Sequence, residues 1–191
     1  MLSNLKPYTD KIIEPISNYI GKYNVSPNTI TLFGLLISLI SAYFYGRGSF
    51  ITGAIFLALS GLCDLIDGNL ARIRGKATDF GAFLDSTVDR LSDSVVYLGI
   101  SIYFFEIKDK KMLLLSIVAL IVSYTISYTR ARAECIITDC KVGILERAER
   151  TLILIIFSII NKLHLGLYLI VTFGAITVIQ RIYHTYRRTC N

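Results

Sequence analysis

Apolar stretches alternate with short polar breaks along most of the chain. Six of them are spanning candidates: Asn28–Tyr45, Ser49–Leu70, Phe80–Phe105, Lys111–Thr129, Thr151–Leu163 and Leu165–Tyr183. A helix needs about 20 residues to cross a hydrocarbon core of about 30 Å. The stretch Thr151–Leu163 is short and has room to extend back through Ile144. Pro27-Asn28 marks the start of the first helix, with Asn28 as a candidate cap, and Ser49 marks the second. Gly46-Arg47-Gly48 reads as a tight turn between them. Upstream, Tyr8, Ile12, Ile13, Ile16 and Ile20 recur at helical spacing among Lys6, Asp10, Lys11, Glu14 and Lys22. This pattern has no continuous apolar core, so it is not a signal peptide. It suits an amphipathic helix in the membrane interface, or a surface helix packed on the bundle. The predicted fold is therefore all-α integral membrane: an N-terminal interfacial helix in residues 1–24, then one domain of six transmembrane helices in residues 25–191.

Composition supports that class. The chain has 191 residues, 53% hydrophobic and 18% charged, with a mean hydropathy of +0.57. That is too apolar for a soluble domain and too long for a single anchor. The net charge is +6. Most basic residues fall in the N-terminal segment, after the second and fourth stretches, and at the C-terminal end. The positive-inside bias then places both termini on the cytoplasmic side of a multi-pass protein of the cell membrane. Such a face suits anionic head groups or phosphorylated solutes. Nothing else in the chain points to nucleic acid. Cys63, Cys135, Cys140 and Cys190 form no metal-binding spacing. Cys135 and Cys140 are close enough in sequence to pair, but a cytoplasmic loop would keep them reduced. His164 and His184 read as interfacial polar residues.

Against this background the acids are out of place. Asp64 and Asp67 close one apolar run, and Asp85 and Asp89 open another. A charged group at the centre of a spanning helix costs about 2.5–3.5 kcal/mol on insertion scales. The cluster therefore needs compensating cations or a polar cavity. Spacings of i,i+3 and i,i+4 put each pair on one helix face. The short connection 73–79 predicts that the two helices are antiparallel near neighbours with converging carboxylates. Asp64 is only about 12 Å along the helix from Arg72, which puts the site toward the cytoplasmic end. Gly68 and Ala71 share the face of Asp64, and Gly81 precedes Asp85 by four, so bulky groups are absent around the acids. An oxygen-only ligand set favours hard divalent cations, and paired ions are the usual clamp for phosphate displacement. Arg72 and Arg90 are the sequence-local candidates for pairing with single acids. Asp93 continues the stripe of Asp85 and Asp89 and reads as a hydrogen-bond acceptor outside the metal set. Asp79 reads as a helix cap.

The pattern Asp64-x2-Asp67-Gly68-x2-Ala71-Arg72-x8-Gly81-x3-Asp85-x3-Asp89 resembles the signature of the CDP-alcohol phosphotransferases, with every fixed position present. Pro27-Asn28-x2-Thr31 also resembles the family's approach to its first span. The resemblance implies six spans after an interfacial helix, a homodimer, and two divalent cations, Mg²⁺ or Mn²⁺. It implies Asp64, Asp67, Asp85 and Asp89 as metal ligands, with Asp89 also as the base that deprotonates an alcohol. Asn28, Thr31, Asp67, Gly68, Ala71, Arg72 and Gly81 would bind the CDP-lipid. The segments 127–134 and 143–150 resemble the inositol-phosphate-using branch, the phosphatidylinositol-phosphate and archaetidylinositol-phosphate synthases. That implies an acceptor-phosphate site of Arg130, Arg150 and Arg181, supported by Arg132 and Arg147. Arg130 and Ala148 stand where bacterial relatives often have Lys and Pro, which leans toward the archaeal branch. The expected reaction moves the lipid-phosphate group of CDP-archaeol or CDP-diacylglycerol to inositol phosphate and releases CMP. The alternatives are a glycerol-phosphate-using member of the family and, in a different class, a divalent-cation transporter.

Overall fold

Small residues decide how closely the helices approach. The structure, a computed structural model, describes residues 13–17, 19–20, 25–73, 75 and 78–189, and the described residues contain no strand. Among the described residues from 25 on, the helices are α1 (Pro27–Gly46), α2 (Phe50–Ile73), α3 (Asp79–Glu106), α4 (Lys110–Ala133), α5 (Arg147–Ile159) and α6 (Leu163–Thr189). Residues 13–17 and 19–20 are helical. The rest of the expected interfacial helix lies outside the described residues.

α1 packs on α2 and α3, α3 on α4, α4 on α6, α6 on α5, and α5 on α2, so the six helices close into a ring. Side-chain hydroxyls seal the α1–α2 seam: Ser41 donates to the carbonyl of Gly53 at 2.8 Å, and Ser60 to that of Gly34 at 2.9 Å. Gly99 of α3 lies against the Ala42 backbone of α1, where any Cβ would strike the carbonyl. Such small-residue seams hold helices together where lipid removes the hydrophobic drive. The core beneath the acids includes Tyr45, Leu57, Val96, Tyr97, Ile100, Leu167 and Ile170.

The expected pairing of the two acid-bearing helices is only half right. α2 and α3 do not pack along each other; each packs on α1, which leaves an opening between them. Direct contact would leave the carboxylates no room.

The number of spans needs a similar qualification. Among the described residues, α1, α2, α4 and α6 are long and apolar enough to cross a membrane. α3 has 28 residues but carries Asp79, Asp85, Asp89, Arg90 and Asp93. α5 has 13 residues, about 20 Å of helix. It does not run back through Ile144, because the Glu149 carboxylate accepts from the Glu146 backbone N–H at 3.2 Å and closes the helix there. Two caps also differ from expectation. α1 starts at Pro27 after Ser26, so Asn28 lies inside the first turn. Thr78, rather than Asp79, caps α3 by accepting from Gly81 N–H at 3.0 Å. Arg47 and Gly48 form the expected turn, and Gly48 has φ 75°.

Gly99→Val is expected to cost at least about 1–3 kcal/mol through overpacking at the α1–α3 seam. The check is a lower melting temperature in detergent beside Gly61→Val, a position with open space around it.

Candidate active site

The acids do converge. One oxygen each from Asp64, Asp67 and Asp85 lies within 4.8 Å of the others. Asp67 is the most enclosed, at 4% exposure, and accepts a 2.5 Å hydrogen bond from the Thr31 hydroxyl of α1. Thr31 is itself buried, so it fixes the rotation of that carboxylate. Asn28 Oδ1 sits where a Cβ on Gly81 would meet it at 3.4 Å. A Cβ on Gly68 would meet only the tip of Arg72. The expected nucleotide-side residues thus flank the acids, with open space at Gly68. Ala71 is half-buried and Arg72 is exposed on the last turns of α2. A narrow cleft is lined by Thr31, Ser60, Asp64, Asp67, Asp89 and Arg147, among others.

Arg147 was expected among the acceptor-phosphate groups and stands instead among the acids. Its Nη1 lies 2.8 Å from Asp89 Oδ2 and 3.1 Å from Asp64 Oδ2, and its Nε lies 3.5 Å from Asp93 Oδ1. Arg72 and Arg90 were the partners expected from local spacing. Arg90 turns its guanidinium back to the Ser86 carbonyl. Nothing in local spacing announces a partner 83 residues from Asp64; its only sign was a basic residue at the start of a short helix.

Of the other arginines, Arg130, Arg150 and Arg181 lie near one another. Arg130 and Arg150 lie close enough to Arg181 for their charges to repel it. Arg150 is 2% exposed and donates through Nη2 to Asp93 Oδ2 at 3.0 Å, so Asp93 is the acceptor its position predicted. Its Nε and Nη1 are buried without a hydrogen-bond partner. Arg130 pairs with Glu134 at 2.9 Å and Glu146 at 3.8 Å. Arg181, also 2% exposed, donates to the carbonyls of Val142 at 2.9 Å and Ile126 at 2.5 Å. Backbone carbonyls thus hold part of its guanidinium. Arg132 is exposed and is not drawn into this group.

The donor set fits hard divalent ions: three carboxylates within reach of one another, all oxygen, with Asp85 Oδ1 buried and lacking a hydrogen-bond partner. The comparisons agree with that chemistry. The family model for CDP-alcohol phosphatidyltransferase matches residues 24–182. The chain belongs to the CDP-alcohol phosphatidyltransferase family. As a member of it, the protein is a transferase with a metal-binding carboxylate cluster. It is 39% identical over 190 residues to an archaetidylinositol phosphate synthase of Pyrococcus horikoshii, covering 98% of each chain. Its structure matches the crystal structure of Mycobacterium tuberculosis phosphatidylinositol phosphate synthase with CDP-DAG bound, at TM-score 0.86 and 30% identity over 92% of this chain and 94% of that one. It also matches that synthase in complex with manganese and citrate, at TM-score 0.84 and 29% identity, covering 91% of this chain and 88% of that one.

Thr31→Val keeps the shape and removes the hydroxyl that holds Asp67. Losing such a support to a ligating carboxylate is expected to weaken Mn²⁺ binding about 10–100-fold. Titration of purified protein followed by the electron paramagnetic resonance of free Mn²⁺ checks this.

Proposed function

We propose that the protein transfers the lipid-phosphate group of a CDP-lipid to inositol phosphate and releases CMP, in phospholipid biosynthesis. The observation that carries this reading is the juxtaposition of two unlike sites on one end of the ring. An all-carboxylate cluster lies beside Thr31, Gly68 and Gly81. A cluster of arginines lies next to it, joined through Asp93, which contacts both Arg147 and Arg150. The first suits a pyrophosphate with its ions, and the second suits the phosphate of a charged acceptor. The names of the relatives support the same substrates: archaetidylinositol phosphate synthase for one, and a phosphatidylinositol phosphate synthase holding CDP-DAG for another.

In this reading Asp64, Asp67 and Asp85, with Asp89 at the edge, hold two divalent cations, Mg²⁺ or Mn²⁺. Bound there, such ions neutralise the pyrophosphate and make CMP a better leaving group. Asn28, Thr31, Gly68, Ala71, Arg72 and Gly81 border the nucleotide. Asp89 takes the proton of the acceptor hydroxyl. That oxygen then bonds to the lipid-side phosphorus as the bond from phosphorus to the CMP oxygen breaks. Arg150 is the main acceptor-phosphate group, because its buried guanidinium has two nitrogens without a hydrogen-bond partner. Arg130 and Arg181 flank it, and Arg132 lies at the rim. We place the site and both termini on the cytoplasmic side by the distribution of basic residues, with all six helices in the bilayer and residues 1–24 in its interface. The family resemblance implies a homodimer.

A panel of acceptors with CDP-archaeol and CDP-diacylglycerol, read by CMP release and mass detection of the lipid product, tests the reading. Turnover with inositol phosphate is expected. Turnover with glycerol 3-phosphate and none with inositol phosphate overturns the acceptor, and Mn²⁺ flux into liposomes without CMP formation overturns the enzyme. Asp89→Asn should lower CMP release by at least about 100-fold in a protein that remains monodisperse. Arg150→Ala should raise KM for the acceptor about 10-fold or more, as expected for a lost charged hydrogen bond, and leave KM for the CDP-lipid nearly unchanged.

A further inference from the structure

One guanidinium nitrogen holds two acids that come from different helices and that divalent cations would also use. Arg147 Nη1 contacts Asp64 of α2 and Asp89 of α3, at 3.1 and 2.8 Å. On its other edge, Nε faces Asp93 at 3.5 Å, and Asp93 is itself held by Arg150 at 3.0 Å. The Nε atom is buried and has no hydrogen-bond partner of good geometry, so the contact with Asp93 is a loose ionic tether and not a fixed bond. Arg147 therefore stands between the carboxylate cluster and the group of acceptor arginines.

We propose that Arg147 is a positioning residue that competes with divalent cations for Asp64 and Asp89. On cation binding it gives up those two acids while staying tethered to Asp93. Metal loading and acceptor-phosphate binding thereby favour one another. The inference rests on reading Asp64 and Asp89 as metal ligands.

The physical argument has three parts. A guanidinium and a dication drawing on the same carboxylates repel each other across a few ångströms of partly buried space. The side chain has somewhere to go, because Asp93 carries a second carboxylate one helical turn beyond Asp89. An acceptor phosphate beside Arg150 gives the displaced guanidinium an anion to replace the two it has lost. If a phosphate draws Arg147 away from the acids and so tightens metal binding, metals must tighten phosphate binding by the same factor. A residue that merely supported the cluster would behave in the opposite way, since its removal would loosen the acids and weaken the metal.

The test measures Mn²⁺ affinity of the full-length protein in detergent by electron paramagnetic resonance. Arg147→Met is expected to bind Mn²⁺ about tenfold tighter than wild type. Asp93→Asn removes the outer tether, leaves the guanidinium on Asp64 and Asp89, and is expected to bind Mn²⁺ several-fold more weakly, within the same range of coupling. Inositol phosphate should tighten Mn²⁺ binding to wild type and have no such effect on Arg147→Met. Equal or weaker Mn²⁺ binding by Arg147→Met overturns the competition, and a shift in the same direction for both variants overturns the tether. If Arg147→Met fails to fold, Asp93→Asn and the phosphate dependence of the wild type decide the matter. A wild-type protein that binds no Mn²⁺ removes the metal reading as well, whereas Mn²⁺ binding indifferent to Arg147 removes this inference alone.

Discussion

Like charges crowded into a region of low dielectric are the constraint around which this molecule is arranged. Five aspartates of α2 and α3 line one end of the helix ring, and carboxylates this close raise one another's energy unless positive charge lies among them. The chain supplies that charge from α5. Arg147 reaches Asp64, Asp89 and Asp93, and Arg150 holds Asp93 from the same helix one turn on. The shortness of α5 follows from this duty. Its first turn has to lie at the depth of the acids, so the chain leading into it crosses that end of the ring as an irregular segment.

The same constraint accounts for the arrangement of α1, α2 and α3. Helices joined by a connection of a few residues ordinarily pack on each other, and α2 and α3 do not. α1 takes the place between them, with Ser60, Gly34 and Gly99 letting it approach both. α1 is thus a spine on which two acid-bearing walls are hung, and Thr31 and Asn28 at its start reach the site for that reason. Deeper in the ring the polar demands are met in pairs. Tyr45 meets Ser158 at 2.8 Å, and Ser123 donates to Tyr97 at 3.0 Å. These bonds tie α1 to α5 and α4 to α3 below the site.

Much of this was legible in the residues. Periodicity located the six helices to within a few positions, because hydrophobic length is a local property. The aspartates and the small residues around them were legible because their spacing fixes a helix face, and the structure places one oxygen of Asp64, Asp67 and Asp85 within a single small volume. Arg147 was misplaced because long-range ion pairing leaves no periodic trace. The start of α5 was placed four residues late, at Thr151, because the polar run Arg147–Arg150 reads as loop, while the Glu146–Glu149 backbone contact starts the helix there. The opening between α2 and α3 was missed because the argument from a short connection takes no account of a third helix. The two carbonyls that accept from Arg181 were not legible either, because backbone contacts between distant segments leave no mark on side-chain spacing.

Those two carbonyls belong to Val142 and Ile126, one in the segment between α4 and α5 and one in α4 itself. Leu145 N–H adds a third link, donating to the Thr177 hydroxyl of α6 at 3.0 Å. Two of these attachments, at Val142 and Leu145, use the main chain of the crossing segment. The attachment at Val142 therefore survives a change of side chain, whereas Leu145 is also fixed by its buried side chain in the core. The strap's path over α6 thus stays where Arg181 and Thr177 hold its backbone, whatever side chain stands at 142.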